Sequence, residues 1–212
     1  MQRLFLLSPA NVAGLRAKQL LNPAASFALA QQFRRDGLPL GDVFTFLSAL
    51  YFRGKLTYAQ AFAQTSSNQR KPDADIVRII TTNRGLMNPA ELITPEDLRA
   101  FGTVDIDAAN AEYRRPLEKD VKTLVKKLPA DGQVILLGSI ATGKYRDVLL
   151  EHFGNRLVFP KEFVGRGDMS RGGMLLRAVK AGAELEYQSV AGATLHGKRA
   201  VKLGKLPRRT RV

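Results

Sequence analysis

No cysteine occurs anywhere in the 212 residues, which excludes disulfides, thiolate metal centres and a cysteine-held iron–sulfur cluster. Histidine is almost as scarce: His152 falls in a helical pattern and His196 in a basic tail, so the two form no metal set, and neither metal nor cofactor is expected. No apolar run is long enough to cross a bilayer. The opening MQRLFLL is interrupted by Ser8 and Pro9, too early for a secretory leader, and reads as a strand. These absences fit a reducing, cytoplasmic setting with no membrane partner. Acidic residues are the other shortage, with 19 Asp and Glu against 33 Lys and Arg and a formal charge of +14.

The placement of that charge is informative. From residue 192 onward there are seven basic residues and no acidic one, leaving 26 cations against 19 acids, or +7, on residues 1–191. Both parts are therefore basic, which favours a polyanionic partner, most simply nucleic acid, through phosphate neutralisation and counterion release. The expected organisation is one domain over residues 1–191 followed by a mobile basic tail over 192–212.

What is present alternates between strand and helix patterns. Residues 3–7 (RLFLL), 76–81 (IVRIIT), 133–137 (QVILL) and 157–160 (LVFP) are short apolar runs of the kind buried in parallel sheets. Residues 184–190 (ELEYQSV) alternate enough for an edge strand. Helical spacing recurs over residues 26–35, 42–52, from Thr57 onward, and over 113–128, while Thr94-Pro95-Glu96-Asp97 is a helix start. Residues 66–75 (SSNQRKPDAD) read as a surface loop. The fold class that follows is a three-layer α/β/α domain with a central, mostly parallel sheet of about four strands.

Two stretches carry candidate chemistry. Residues 138–144, GSIATGK, match the phosphate-cradling pattern of glycine, four residues, glycine and lysine between a strand and a helix. Tyr145 then stands where that motif needs a Ser or Thr hydroxyl for Mg²⁺, so a nucleotide-phosphate enzyme ranks third among the functions considered. Residues 164–173, VGRGDMSRGG, read as a glycine loop offering Arg166, Met169, Ser170 and Arg171 to a phosphate backbone.

Four segments in this order resemble the uracil-DNA glycosylase superfamily. Residues 6–17 (LLSPANVAGLRA) look like its first motif, 76–85 (IVRIITTNRG) like the strand ending in Asn-Arg, RRPLEKDVKTL with QVILLGSIATGKY like the helix and Leu-Gly strand, and 157–177 like the final motif and DNA-penetrating loop. The resemblance implies a base-excising protein acting on DNA rather than RNA, with Ser8, Asn11, Asn83 and Phe159 at the catalytic positions. It implies a pocket backbone of Pro9, Ala10, Gly138, Ser139 and Pro160, with Gly138 as the floor under a flat base. Arg16, Arg84, Lys144, Arg166, Met169, Ser170 and Arg171 would contact nucleic acid. Phe159 departs from the family's histidine, which removes a hydrogen-bond donor to the leaving base. A non-catalytic nucleic-acid-binding module is the alternative function.

Overall fold

The computed structural model describes residues 2–63, 76–201 and 203–204. The loop expected at residues 66–75 and the last eight residues lie outside the described residues.

The four apolar runs become the strands β1 (Arg3–Leu7), β3 (Val77–Ile80), β6 (Gln133–Leu137) and β7 (Leu157–Pro160). They lie in the order β3-β1-β6-β7, every neighbouring pair parallel. Their near-continuous burial is what a sheet covered on both faces requires. The sheet is larger than the four strands expected, because two short antiparallel strands extend its edges: β4 (Leu86–Met87) beside β3 and β8 (Tyr187–Ser189) beside β7. The alternation of residues 184–190 predicts β8. Two-residue β4 has no periodicity to read; it exists because Gly85 adopts φ +62° and reverses the chain, with the Asp120 carboxylate accepting from Leu86 N at 2.8 Å. A separate ribbon pairs β2 (Leu38–Pro39) with β5 (Leu92–Ile93).

The helices are α1 (Leu15–Leu21), α2 (Ala28–Asp36), α3 (Leu40–Ala63), α4 (Pro95–Gly102), α5 (Ala111–Lys127), α6 (Gly143–Phe153) and α7 (Asp168–Ala181). Helix α4 starts as its sequence predicts, with Thr94 and Asp97 in a reciprocal capping box and Pro95 in the first turn. Helix α3 packs on α7, and α5 on α6. The crossovers from β1 to β3 and from β3 to β6 run in opposite directions across the sheet, so crossovers of the same hand put their helices on opposite faces.

Three segments differ from their sequence reading. Arg53-Gly54 does not end a helix; α3 continues to Ala63, broken only at Ala49, where φ 46° and ψ −118° leave helical space. The expected glycine loop is largely the first turns of α7, with only residues 164–167 ahead of it. The described part of the basic tail is docked: Ala200 N donates to Gly165 O at 3.2 Å, Arg166 Nη1 donates to Val201 O at 3.0 Å, and Leu203 packs against the core. Gly165 makes that possible, since at φ +72° a Cβ there would lie 2.1 Å from Lys198 O. No helix among the described residues is long and apolar enough to cross a membrane.

Candidate functional site

Strand order locates the site before any side chain is considered. From β1 the chain moves to one side to form β3, then returns to form β6 on the other side of β1. The switch point therefore lies between β1 and β6, and open parallel sheets bind ligands outside the carboxyl ends of such a pair. Ser8 directly follows β1 and Gly138 directly follows β6, with Ser8 N donating to Leu137 O at 3.2 Å.

At this point the structure gathers a polar cluster that the sequence patterns only half disclose. Ser8 is 5% exposed. Behind it lies Lys55 of α3, 1% exposed, whose Nζ donates to Ser8 O at 2.6 Å and to Ser8 Oγ at 2.9 Å. The amine also sits 4.5 Å from the Tyr51 ring centre and 4.7 Å from that of Phe52. Burial pushes the Lys55 amine down to about 7, with Asp168 opposing and Arg171 reinforcing the shift. Tyr145 of α6 closes the other side: its hydroxyl donates to Ser139 O at 2.8 Å and lies beside Ser8 across Gly138. The Tyr51 hydroxyl is buried in the same cluster without a well-formed hydrogen bond, beside the Arg171 guanidinium, and burial holds it far above the ordinary phenol range.

Gly138 has a different part from the open floor expected of it. A Cβ there would lie 2.8 Å from Ser8 Cβ and 2.9 Å from the Tyr145 hydroxyl. The missing side chain is what lets Ser8 and Tyr145 meet. Pro9 and Ser139 are half-buried around the cluster, and Ala10 and Pro160 are buried.

The remaining sequence candidates are dispersed. Asn11 is exposed and its carbonyl accepts from Ala13 N at 3.0 Å, a local turn. Asn83 donates to Ala100 O at 3.0 Å and opens on another groove, of about 490 Å³, shared with Thr103, Val104, Glu112 and Arg115. Phe159 is fully buried in β7 as part of the core, with no ring face offered to a ligand. Arg16 donates to Phe46 O and Arg84 pairs with Asp97.

Arg171, 9% exposed, is spent on architecture: Nε and Nη2 both donate to Phe163 O, and Nη1 reaches Asp168 at 3.2 Å. Arg166 ties together Glu162 O, Ser170 Oγ and Val201 O. Only Lys144 and Met169, the latter 67% exposed, stand free at the surface as a backbone contact would require.

Comparison with protein-family models, with curated proteins and with solved structures finds no match. The site is defined by its own geometry.

That geometry weighs against the phosphate-loop reading. The strand, loop and helix of residues 133–153 are in place, but the Tyr145 side chain folds back into the loop to reach Ser139 O. The Asp147 carboxylate also lies over the start of α6, where a Cβ on Gly143 would be 2.1 Å from its Oδ2. A carboxylate there already occupies the positive end of the helix and repels a phosphate. Substituting Lys144→Ala should accordingly leave the fold intact and change no magnesium-dependent ATP turnover, measured by phosphate release. Turnover that is present and abolished by the change would restore the phosphate reading.

The residue that sequence reasoning missed is Lys55. Its only signal was a charge, close to Arg53, inside the otherwise apolar and aromatic stretch Tyr51-Phe52-Arg53-Gly54-Lys55-Leu56-Thr57-Tyr58.

Proposed function

We propose that the protein binds nucleic acid and seats a nucleobase at the carboxyl ends of β1 and β6, in the manner of a divergent uracil-DNA-glycosylase-like protein. The observation that carries this reading is the meeting of the Ser8 and Gly138 segments at the switch point, with a buried lysine behind them. The parallel core in the order β3-β1-β6-β7 and the excess of cations over acids in both halves of the chain support it. Releasing a base requires the negative charge on the departing ring to be stabilised. Phe159 cannot supply that stabilisation, so a base that already leaves easily is the better substrate, and ordinary uracil a slow one.

The test is incubation of the purified protein with duplexes and single strands carrying a panel of modified bases, scored for abasic sites. Excision from at least one substrate, lost in Ser8→Ala, is the expected result. Tight binding with no excision from any substrate would favour the non-catalytic module.

Electrostatics give a second expected outcome. Removing residues 205–212 deletes Lys205, Arg208, Arg209 and Arg211. If all four contact phosphate, the slope of log affinity against log salt should become shallower by about 3 to 4 units. Fluorescence anisotropy with a labelled duplex measures it, and an unchanged slope would remove this segment from the interface.

A further inference from the structure

The cluster at the switch point has a direction that its hydrogen bonds define. An ammonium has donors and no acceptor. Two of the Lys55 N–H groups go to Ser8 O and Ser8 Oγ, at 2.6 and 2.9 Å, and the Tyr51 and Phe52 rings lie beside the amine at 4.5 and 4.7 Å. Because Ser8 Oγ accepts from Lys55, its own hydrogen is turned away from the amine. Across Gly138 from Ser8 lies Tyr145: the point a Gly138 Cβ would fill is 3.1 Å from Ser8 Oγ and 2.9 Å from the Tyr145 hydroxyl, which donates to Ser139 O at 2.8 Å. Ser139 is half-buried, whereas Lys55, Ser8 and Tyr145 are 1%, 5% and 7% exposed. A chain of polar groups thus runs from an interior cation to the rim of the site: Lys55, Ser8, Tyr145, Ser139 O.

Resting on the nucleobase reading given above, we propose that this chain is a proton relay, in which Lys55 and Ser8 supply a proton through the Tyr145 hydroxyl to the departing base. Tyr145 is the residue that touches the base, which takes the place of Ser139 O as its acceptor. Lys55 and Ser8 are positioning residues that act through it. As the bond between C1′ and the base nitrogen breaks, its electron pair stays on the base. The Tyr145 proton passes to a ring oxygen or nitrogen, the Ser8 proton passes to Tyr145, and a Lys55 proton passes to Ser8. Water adds at C1′, and the proton it releases restores the Lys55 ammonium. The relay gives the site the donor that Phe159 lacks.

The charged and titratable groups facing the amine are Tyr51 on α3 and Asp168 and Arg171 on α7. Arg171 opposes the ammonium and Asp168 favours it, so the burial of the amine sets the balance. An ammonium that gives up its proton near neutral pH is matched to general-acid work at that pH.

Two measurements on the full chain test the relay. The first follows the lysine ¹³Cε resonances between pH 5 and 10. One lysine should titrate near neutrality, vanish in Lys55→Met, and shift in Ser8→Ala and Tyr145→Phe, each of which removes a single hydroxyl from the chain. The second is single-turnover excision from duplexes carrying uracil, hypoxanthine or xanthine, between pH 6 and 9. The wild-type rate should fall as pH rises through the Lys55 titration. Lys55→Met and Tyr145→Phe should be slower on the order of a hundredfold at pH 6.5 and lose that dependence, and Lys55→Arg should move the fall to higher pH.

A Lys55 that titrates above pH 9 overturns the relay whatever the excision assay gives. Excision with a flat profile, or unaffected by Tyr145→Phe, overturns the relay and leaves the nucleobase reading standing. Absence of excision from every duplex, with Lys55 titrating near neutrality, overturns the relay, and tight binding in that case favours the non-catalytic module.

Discussion

Raising the pH from 7.5 to 9.5 should stabilise the protein by about 2 to 3 kcal/mol, through Lys55 alone. The amine is held near 7 in the folded chain against an ordinary value of 10.5, first by burial. Between those two values the unfolded chain binds a proton that the folded chain does not, so stability rises with pH across the window. The destabilisation is complete below about 7, where the charge must be buried, and is relieved toward 10.5. Tyr51, Tyr113 and Tyr187 are all held above the ordinary phenol range by burial. Unfolding lets them ionise from about pH 10, which is why the useful range stops at 9.5.

Guanidinium denaturation of wild type and Lys55→Met at several pH values isolates the effect. The variant should lose the rise, and should be the more stable protein below pH 7 if the relief of a buried charge exceeds the cost of leaving the Ser8 acceptors unpaired, about 1 to 3 kcal/mol. Parallel pH profiles for the two proteins would show that Lys55 is solvated in solution.

The second large effect lies where α3 crosses α7. A Cβ on Gly172 would sit 2.7 Å from Leu50 O and 2.8 Å from Tyr51 Cα, and one on Gly54 would sit 2.8 Å from Gly172 O. Each obstacle is backbone, so no rotamer change relieves it. Gly172→Ala should destabilise the protein by about 3 kcal/mol, at the upper end of the usual range for overpacking, and it should also weaken the site. Arg171 and Lys55 are immediate neighbours of the two glycines, and separating the helices moves both. Gly173→Ala is the control: a Cβ there meets only the end of Leu203 at 3.6 Å. Equal stability of the two variants by thermal denaturation would contradict the close crossing.

The contrast between those glycines shows how far the sequence could be read. Burial on both faces writes a parallel strand as a continuous apolar run, so β1, β3, β6 and β7 were legible, and local chemistry at Thr94 and Pro95 wrote the start of α4. Gly54, Gly172 and Gly173 look like turn residues in one dimension. Their purpose is tertiary, since the absence of a side chain at the first two permits a backbone contact between segments more than 100 residues apart, and tertiary packing overrides the weak local cost of glycine in a helix.

The candidate site divides in the same way. Ser8, Gly138 and Ser139 were legible because strand ends in open parallel sheets are where ligands bind. Lys55 was not, because it lies within a helix whose neighbours are core. Arg166 and Arg171 look like free cations in sequence, but their donors are consumed by the carbonyls of Glu162, Val201 and Phe163.

The central claim, that nucleic acid engages the carboxyl ends of β1 and β6, is tested most directly by amide chemical-shift mapping with a short duplex containing an abasic-site analogue. The largest changes should fall on residues 8–11, 138–145 and 166–171, and they should be lost in Ser8→Ala or Tyr145→Phe while the fold is retained. Changes confined to the groove around Asn83, Thr103 and Arg115, with residues 8–11 and 138–145 unmoved, would contradict it.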